Sequence, residues 1–349
     1  MGSRVFSILI AAVLIVAPTT VSTQSTAPQA SPLVIGARSF SPMVENVDVV
    51  MPFYARLGLK APPPDKGKSY PWDEEAWHYD LHGAQAPRSQ MRFTYATVPG
   101  AVPPATALLI EPVEHRGIQR TARTLRVQDP GATTLVLLVR DIDVAAMRLP
   151  QASRRPIRRV TVYGGTAKAM TLAVPGAHLV ELLQLDPLPK TSAPADANVI
   201  GAWLRVTVAS LDRTLTLYRD KFGLPFKEVP VSNAGFGGLI ERAGENRNAT
   251  TVKLRLAAAT LPGTGMRLEL LEATGVDRQP LAARIQDPGV ARLQLTVRNI
   301  EDAMAALRSA GSSNVASNGI ITQPQYRVAV VSDLNGLFLV LTDRPARAK

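Results

Sequence analysis

The chain states one stretch twice, and that repetition limits what it can fold into more than any other feature. Val34 to Leu59 (VIGARSFSPMVENVDVVMPFYARLGL) is answered by Val199 to Leu224 (VIGAWLRVTVASLDRTLTLYRDKFGL). Both open with Val-Ile-Gly-Ala, read as a strand, pass a polar break and enter an amphipathic helix with a Gly-Leu exit. Val47, Val50, Met51, Tyr54 and Leu57 fall at helical spacing in the first copy, and Leu211, Leu215, Tyr218 and Phe222 in the second, where Ser210 is placed to cap the helix. The echo continues through Arg92–Gly100 and Arg255–Gly263, then Glu111 and Glu272, then the two Gln-Asp-Pro-Gly turns at Gln128 and Gln286. Spacing between equivalent residues shrinks slowly down the chain, as short loop deletions in the second copy would produce.

Ahead of the repeat, Met1–Arg4 is positive, Val5–Ala17 is apolar and Pro18–Ala30 is small and polar. This is the layout of a secretory signal peptide, read here as residues 1–27 with cleavage between Ser22 and Ala27, and it predicts an exported, periplasmic or extracellular protein. The other reading is an uncleaved N-terminal anchor; after leader removal no stable membrane insertion is expected. The chain of 349 residues has no cysteine, which excludes disulfides and a lipid-anchored lipoprotein. About 320 residues remain, matching two domains of about 150. Asp186–Asn198, rich in proline, alanine and small polar residues, reads as a linker between a first domain at 33–185 and a second at 199–343.

Each half divides again. After Gln-Asp-Pro-Gly both halves return to strand, cap and helix, with Asp141 or Asn299 at the helix start, Ile300, Met304 and Leu307 as an apolar stripe, Gly311 as a stop and Pro150 cutting the first-half helix short. His178–Leu183 and Leu337–Leu341 read as closing strands. Four strand–helix–strands units follow from this pattern.

These units resemble the βαβββ modules of the vicinal oxygen chelate (VOC) superfamily, which holds glyoxalase I, bleomycin- and fosfomycin-resistance proteins and extradiol dioxygenases. The resemblance rests on Phe53-Tyr54 to Gly58-Leu59, Leu217-Tyr218 to Gly223-Leu224, Val174–Leu182 and Ser332–Gly336. It implies an α+β fold of four βαβββ modules forming two tandem glyoxalase-like domains, each an incomplete eight-stranded barrel with a cleft. In the family's enzymes four inward residues of such a cleft hold a divalent metal. Carried over with each half closing on itself, those positions fall on Ser39, Leu108, Thr134 and Glu181, and on Trp203, Glu269, Arg292 and Val340. A catalytic divalent ion needs about three imidazole or carboxylate ligands. Each half supplies one carboxylate, and the second adds a guanidinium that keeps its charge. No metal or other cofactor is therefore expected there; a divalent ion is the alternative.

The resemblance implies ligand binding by Ser39, Thr134, Glu181, Trp203, Glu269 and Arg292. Arg292 would clamp an anionic group or pair internally with Glu269, and Trp203 would supply an aromatic wall. Glu181 with Ser39 and Thr134 would line a modestly polar pocket, its carboxylate semi-exposed. Glu111 and Glu272 are expected as solvated charges at strand ends. Outside the cleft, His78, Asp80 and His82 alternate within an aromatic-acidic cluster running from Trp72; it reads as a lid over the first cleft, with a metal site as the alternative. No phosphate-cradling loop or nucleophile elbow is present, and Gly164-Gly165 and Gly235–Gly238 read as loops.

The formal charge is +11, densest at Arg154, Arg155, Arg158 and Arg159. It reads as a solvated basic face rather than a nucleic-acid surface. Two function classes stay open: a binding or sequestering protein for a small organic molecule, and a lyase, isomerase or dioxygenase using a metal or a general base, Glu181 or Glu269.

Overall fold

The computed structural model describes residues 32–63, 70–72, 90–99, 109–122, 124–231, 252–312 and 319–344. The leader, Leu108, the glycine-rich stretch 235–238 and the trio His78, Asp80 and His82 lie outside the described residues.

Module 1 comprises β1 (Val34–Pro42), α1 (Val47–Leu57), β2 (Gln90–Phe93), β3 (Ala96–Thr97), β4 (Leu109–Ile110) and β5 (Val113–Arg116). Module 2 comprises β6 (Thr133–Val139), α2 (Ile142–Met147), β7 (Arg158–Val162), β8 (Gly165–Ala173) and β9 (Leu179–Asp186). Module 3 comprises β10 (Val199–Val208), α3 (Leu211–Leu215, continuing as a π-helical turn through Lys221), β11 (Lys227–Val229), β12 (Lys253–Thr260) and β13 (Arg267–Thr274). Module 4 comprises β14 (Ala291–Val297), α4 (Ile300–Ser309), β15 (Ile321–Thr322), β16 (Arg327–Ser332) and β17 (Phe338–Asp343).

All four helices start on the same device. Asn46, Asp141, Ser210 and Asn299 are extended and accept a backbone N–H from two or three residues on, satisfying donors a helix start leaves open. In three modules the closing strand captures the first helical N–H as well: Val47 donates to Glu114, Ile142 to Gln184 and Ile300 to Asp343, each at 2.9 Å. Helix and last strand are thereby tied together inside those three modules. Apolar residues at helical spacing do the rest, and Tyr54 and Tyr218 are fully buried.

The strands join the modules in an order the repeat does not announce. One sheet runs β15-β16-β17-β14-β1-β4-β3, uniting modules 4 and 1, and the other runs β11-β12-β13-β10-β6-β9-β8-β7, uniting modules 3 and 2. The expectation that 33–185 and 199–343 each close a barrel is therefore corrected: the seams are β1 against β14 and β6 against β10, both antiparallel and both crossing between the halves. Modules 1 and 2 do meet, through their outer faces, where the Tyr54 hydroxyl lies 3.3 Å from His178 Nε2. Modules 3 and 4 meet the same way, Tyr218 donating to Asp333 at 2.9 Å. The four modules thus form a ring in which sheet seams alternate with helix contacts. One continuous apolar cluster takes in all four helices and the outer faces of both sheets, leaving the two inner faces as separate chambers.

Candidate functional site

The chamber between modules 2 and 3 is built around a charge. Arg205 stands beside Glu269 in the parallel β10–β13 pair and opposite Thr134 in the β10–β6 pair, so its side chain enters the barrel. Its Nη1 donates to Glu181 Oε2 at 2.6 Å and its Nε to Glu269 Oε2 at 2.9 Å. Tyr163 donates to Glu269 Oε1 at 2.8 Å, and Arg267 Nε donates to the same oxygen at 2.8 Å. The Arg267 guanidinium lies 4.7 Å from the Tyr163 ring centroid and 5.6 Å from that of Trp203. Arg205, Glu181 and Glu269 are each 2% exposed or less. Burial alone disfavours a charged guanidinium, but the Glu181 and Glu269 carboxylates outweigh it and hold Arg205 firmly protonated. Burial, then the Glu269 charge, pushes the Tyr163 phenol up, so it donates. A bridge between Val162 and Val231 brings the two outermost strands of the sheet together. The centre of this chamber is occupied by the Arg205 guanidinium.

Three expectations are revised here. Glu181 is not a semi-exposed carboxylate beside Ser39, which belongs to the other sheet; it is ion-paired to Arg205. Glu269 pairs with Arg205 and Arg267, not with Arg292, because Arg292 sits on β14 in the opposite barrel. Trp203 lies on the inner face but two residues short of the central position, which belongs to Arg205. Glu181 and Glu269, the two sequence candidates for a general base, are both buried and ion-paired in this structure.

The chamber between modules 1 and 4 is different. Ser41 stands opposite Arg292, as Arg205 stands opposite Thr134. Its hydroxyl donates to Glu111 Oε2 at 2.6 Å. Ser39 Oγ lies 3.3 Å from Gln294 Oε1 and 3.4 Å from Glu111 Oε2, sharing its one proton between them. Glu111, Gln294 and Val340 are half-buried, whereas Ser39, Ser41 and Arg292 are buried. Beneath them lie Met43, Met91, Val113, Val330 and Phe338. His115, in register with Met91, is buried among the same residues, and neither ring nitrogen has a hydrogen-bond partner among the described residues. Burial, then the Arg292 and Arg120 charges, lowers its pKa to about 3, so it is neutral at pH 7.

Glu111 is the residue that reading the sequence misplaced. Sequence spacing pairs it with Glu272, but β1–β4 pairing sets it beside Ser41, the place Glu269 has beside Arg205. The partner of Glu272 is Glu114: each stands opposite an arginine, Arg255 or Arg92, on the adjacent strand. Glu272 is only 14% exposed and 3.6 Å from Arg255, so neither glutamate is a solvated strand end. The signal was available in the equivalence of Arg92 and Arg255, had the register been counted from them. Beyond the cup, Trp72 stacks under Arg92 and Arg116 at 4.7 and 4.0 Å.

Neither chamber fits a divalent cation. The chamber between modules 1 and 4 offers hydroxyls, one amide, a guanidinium and only two groups of the kind a divalent ion takes, Glu111 and the buried His115; the chamber between modules 2 and 3 has two carboxylates already held by arginine. Among the described residues no cluster of three or more His, Cys, Asp or Glu side chains could hold a metal, and no helix is long and apolar enough to cross a membrane.

No protein-family model and no curated protein matches the sequence. Among solved structures, glyoxalase I from Zea mays aligns with 90% of this chain and 92% of its own, at 15% identity and a TM-score of 0.54. A glutamate-to-glutamine mutant of that enzyme aligns with 88% of this chain and 94% of its own, at 14% identity and a TM-score of 0.53. The likeness covers both barrels and establishes the architecture.

Proposed function

From the premise that this chain has the vicinal oxygen chelate fold with two paired barrels, we propose that it is an exported protein that binds a small organic molecule in the chamber between modules 1 and 4, without a metal. The observation that carries this reading is the asymmetry between the chambers. Arg205 fills the centre of one, whereas Ser41 leaves the equivalent position of the other to a short side chain, with half-buried Glu111 and Gln294 beside it and an apolar lining beneath. Such a cup suits a ligand with an apolar body and a hydrogen-bonding head. Arg292 supplies charge for an anionic head. Thr134, Glu181, Trp203 and Glu269 belong to the filled chamber and take no part. Export follows from the leader.

A second reading, catalysis, now falls on Glu111, because its carboxylate is the half-buried one and already receives a proton donor from Ser41 at 2.6 Å. The test is native mass spectrometry of the full chain purified from its own host, repeated on Ser41→Phe, which fills the cup. An organic molecule that co-purifies with the wild type and is lost from a folded Ser41→Phe variant supports the proposal. A ligand retained by that variant, or a stoichiometric metal, overturns it. Glu111→Gln then separates the readings: a binder holds the same molecule as the wild type, at equal or lower occupancy, whereas an enzyme holds a different one, its unreacted substrate.

A further inference from the structure

We propose that Arg205 is a built-in substitute for a divalent cation, so that Glu181 and Glu269 form a metal-competent pair kept shut by a side chain. The two carboxylates come from different modules, β9 of module 2 and β13 of module 3, and converge on one guanidinium at 2.6 and 2.9 Å. Left alone they would be two like charges enclosed together, an arrangement proteins relieve by protonation or a cation. Arg205 takes one oxygen of each carboxylate, as a bridging ion would, while the half-exposed Arg267 is a second cation on the other oxygen of Glu269. The guanidinium also ties the closing strands of two modules together, which is what a bridging ion would do, and no ion can be stripped from it. The Tyr163 hydroxyl adds a further ligand to Glu269 and fixes that carboxylate in place.

Position 205 is a strand neighbour of Glu269. A shorter imidazole there would turn toward the same carboxylates and complete a set of one histidine and two glutamates, the minimum a divalent ion needs. This inference is independent of ligand binding in the other chamber, since its readout is metal at Glu181 and Glu269 alone.

The experiment uses the full chain as wild type, Arg205→His and Arg205→His/Glu181→Gln, each equilibrated with zinc and desalted, with bound zinc measured by elemental analysis and melting followed by circular dichroism. The expected result is no zinc dependent on Glu181 in the wild type, about one equivalent in Arg205→His with a melting temperature raised by zinc, and loss of both in the double variant. If Arg205→His does not fold without metal, refolding with zinc against refolding with chelator replaces the titration, and rescue by zinc is expected. Zinc bound to the wild type and lost in Glu181→Gln overturns the proposal. So does Arg205→His that is folded yet takes no zinc, or that zinc fails to rescue.

Discussion

Ser41 and Arg292 face one another across an antiparallel seam although they lie in different halves of the chain. The matching seam sets Arg205 opposite Thr134. The same two strand positions thus hold serine and arginine in one barrel and arginine and threonine in the other. Each barrel carries one arginine at this pair, but on opposite strands of the seam, and only Arg205 reaches two carboxylates.

Cutting the chain within 186–198 severs both seams. The half 33–185 would expose β1 and β6 without neighbours, and the half 199–343 would expose β10 and β14, all largely buried strands. Expressed singly, each half is expected to aggregate or melt without cooperativity. Co-expressed, they should co-purify as one complex with a sharp thermal transition by circular dichroism. Two halves that each melt cooperatively as monomers would refute the pairing.

Truncating Arg205 to alanine leaves two carboxylates enclosed with less compensation. Removing one partner of a buried ion pair costs about 3–5 kcal/mol. Adding Glu181→Gln and Glu269→Gln to Arg205→Ala removes the unpaired charge and is expected to recover a large part of that loss in chemical denaturation. A triple variant no more stable than Arg205→Ala would show that packing of the long side chain, not charge, is what the position contributes.

Acid should weaken the fold through two histidines. Burial, aided at His115 by Arg292 and Arg120, lowers both His115 and His178 to about 3. The folded pKa lies below the unfolded value of about 6.5, so the unfolded chain takes up protons first as pH drops. Their neutral forms therefore cost nothing above about 6.5, and stability falls with pH between that value and about 3. Each histidine contributes on the order of 1.4 kcal/mol per pH unit across that window. Denaturation midpoints for His178→Gln should depend less steeply on pH than those of the wild type; an unchanged slope would count against this account.

Gly131 and Gly164 make a controlled pair. Both hold positive φ, 93° and 76°, so alanine is strained at either site. At Gly131 a Cβ would also run into the Asn335 carbonyl oxygen and come within 3.0 Å of Leu281 Cβ, whereas at Gly164 nothing lies within 4 Å. Gly164→Ala is expected to cost about 1 kcal/mol, and Gly131→Ala at least about 2 kcal/mol more. Equal losses in urea denaturation would mean that the turn between Asp129 and Ala132 yields freely.

What the sequence determined by itself was everything local. Helix stripes such as Val47, Val50, Met51, Tyr54 and Leu57, the caps at Asn46, Asp141, Ser210 and Asn299, and the Gln-Asp-Pro-Gly turns are set by spacing and hydrogen-bond chemistry within a few residues. Repeated four times, they establish the modules and hence the fold. Tertiary structure alone decided which modules share a sheet. β6 is buried along its whole length and β1 along most of its own, so choice among seams rests on long-range packing that no local period encodes. The site inherited that ambiguity. Trp203 and Arg205 share a strand face, as do Ser39 and Ser41, so a slip of two residues moves the central position without changing the face. Only the paired strands show that Arg205 is the cation on which Glu181 and Glu269 converge and that Glu111 lies beside Ser41 in the other barrel.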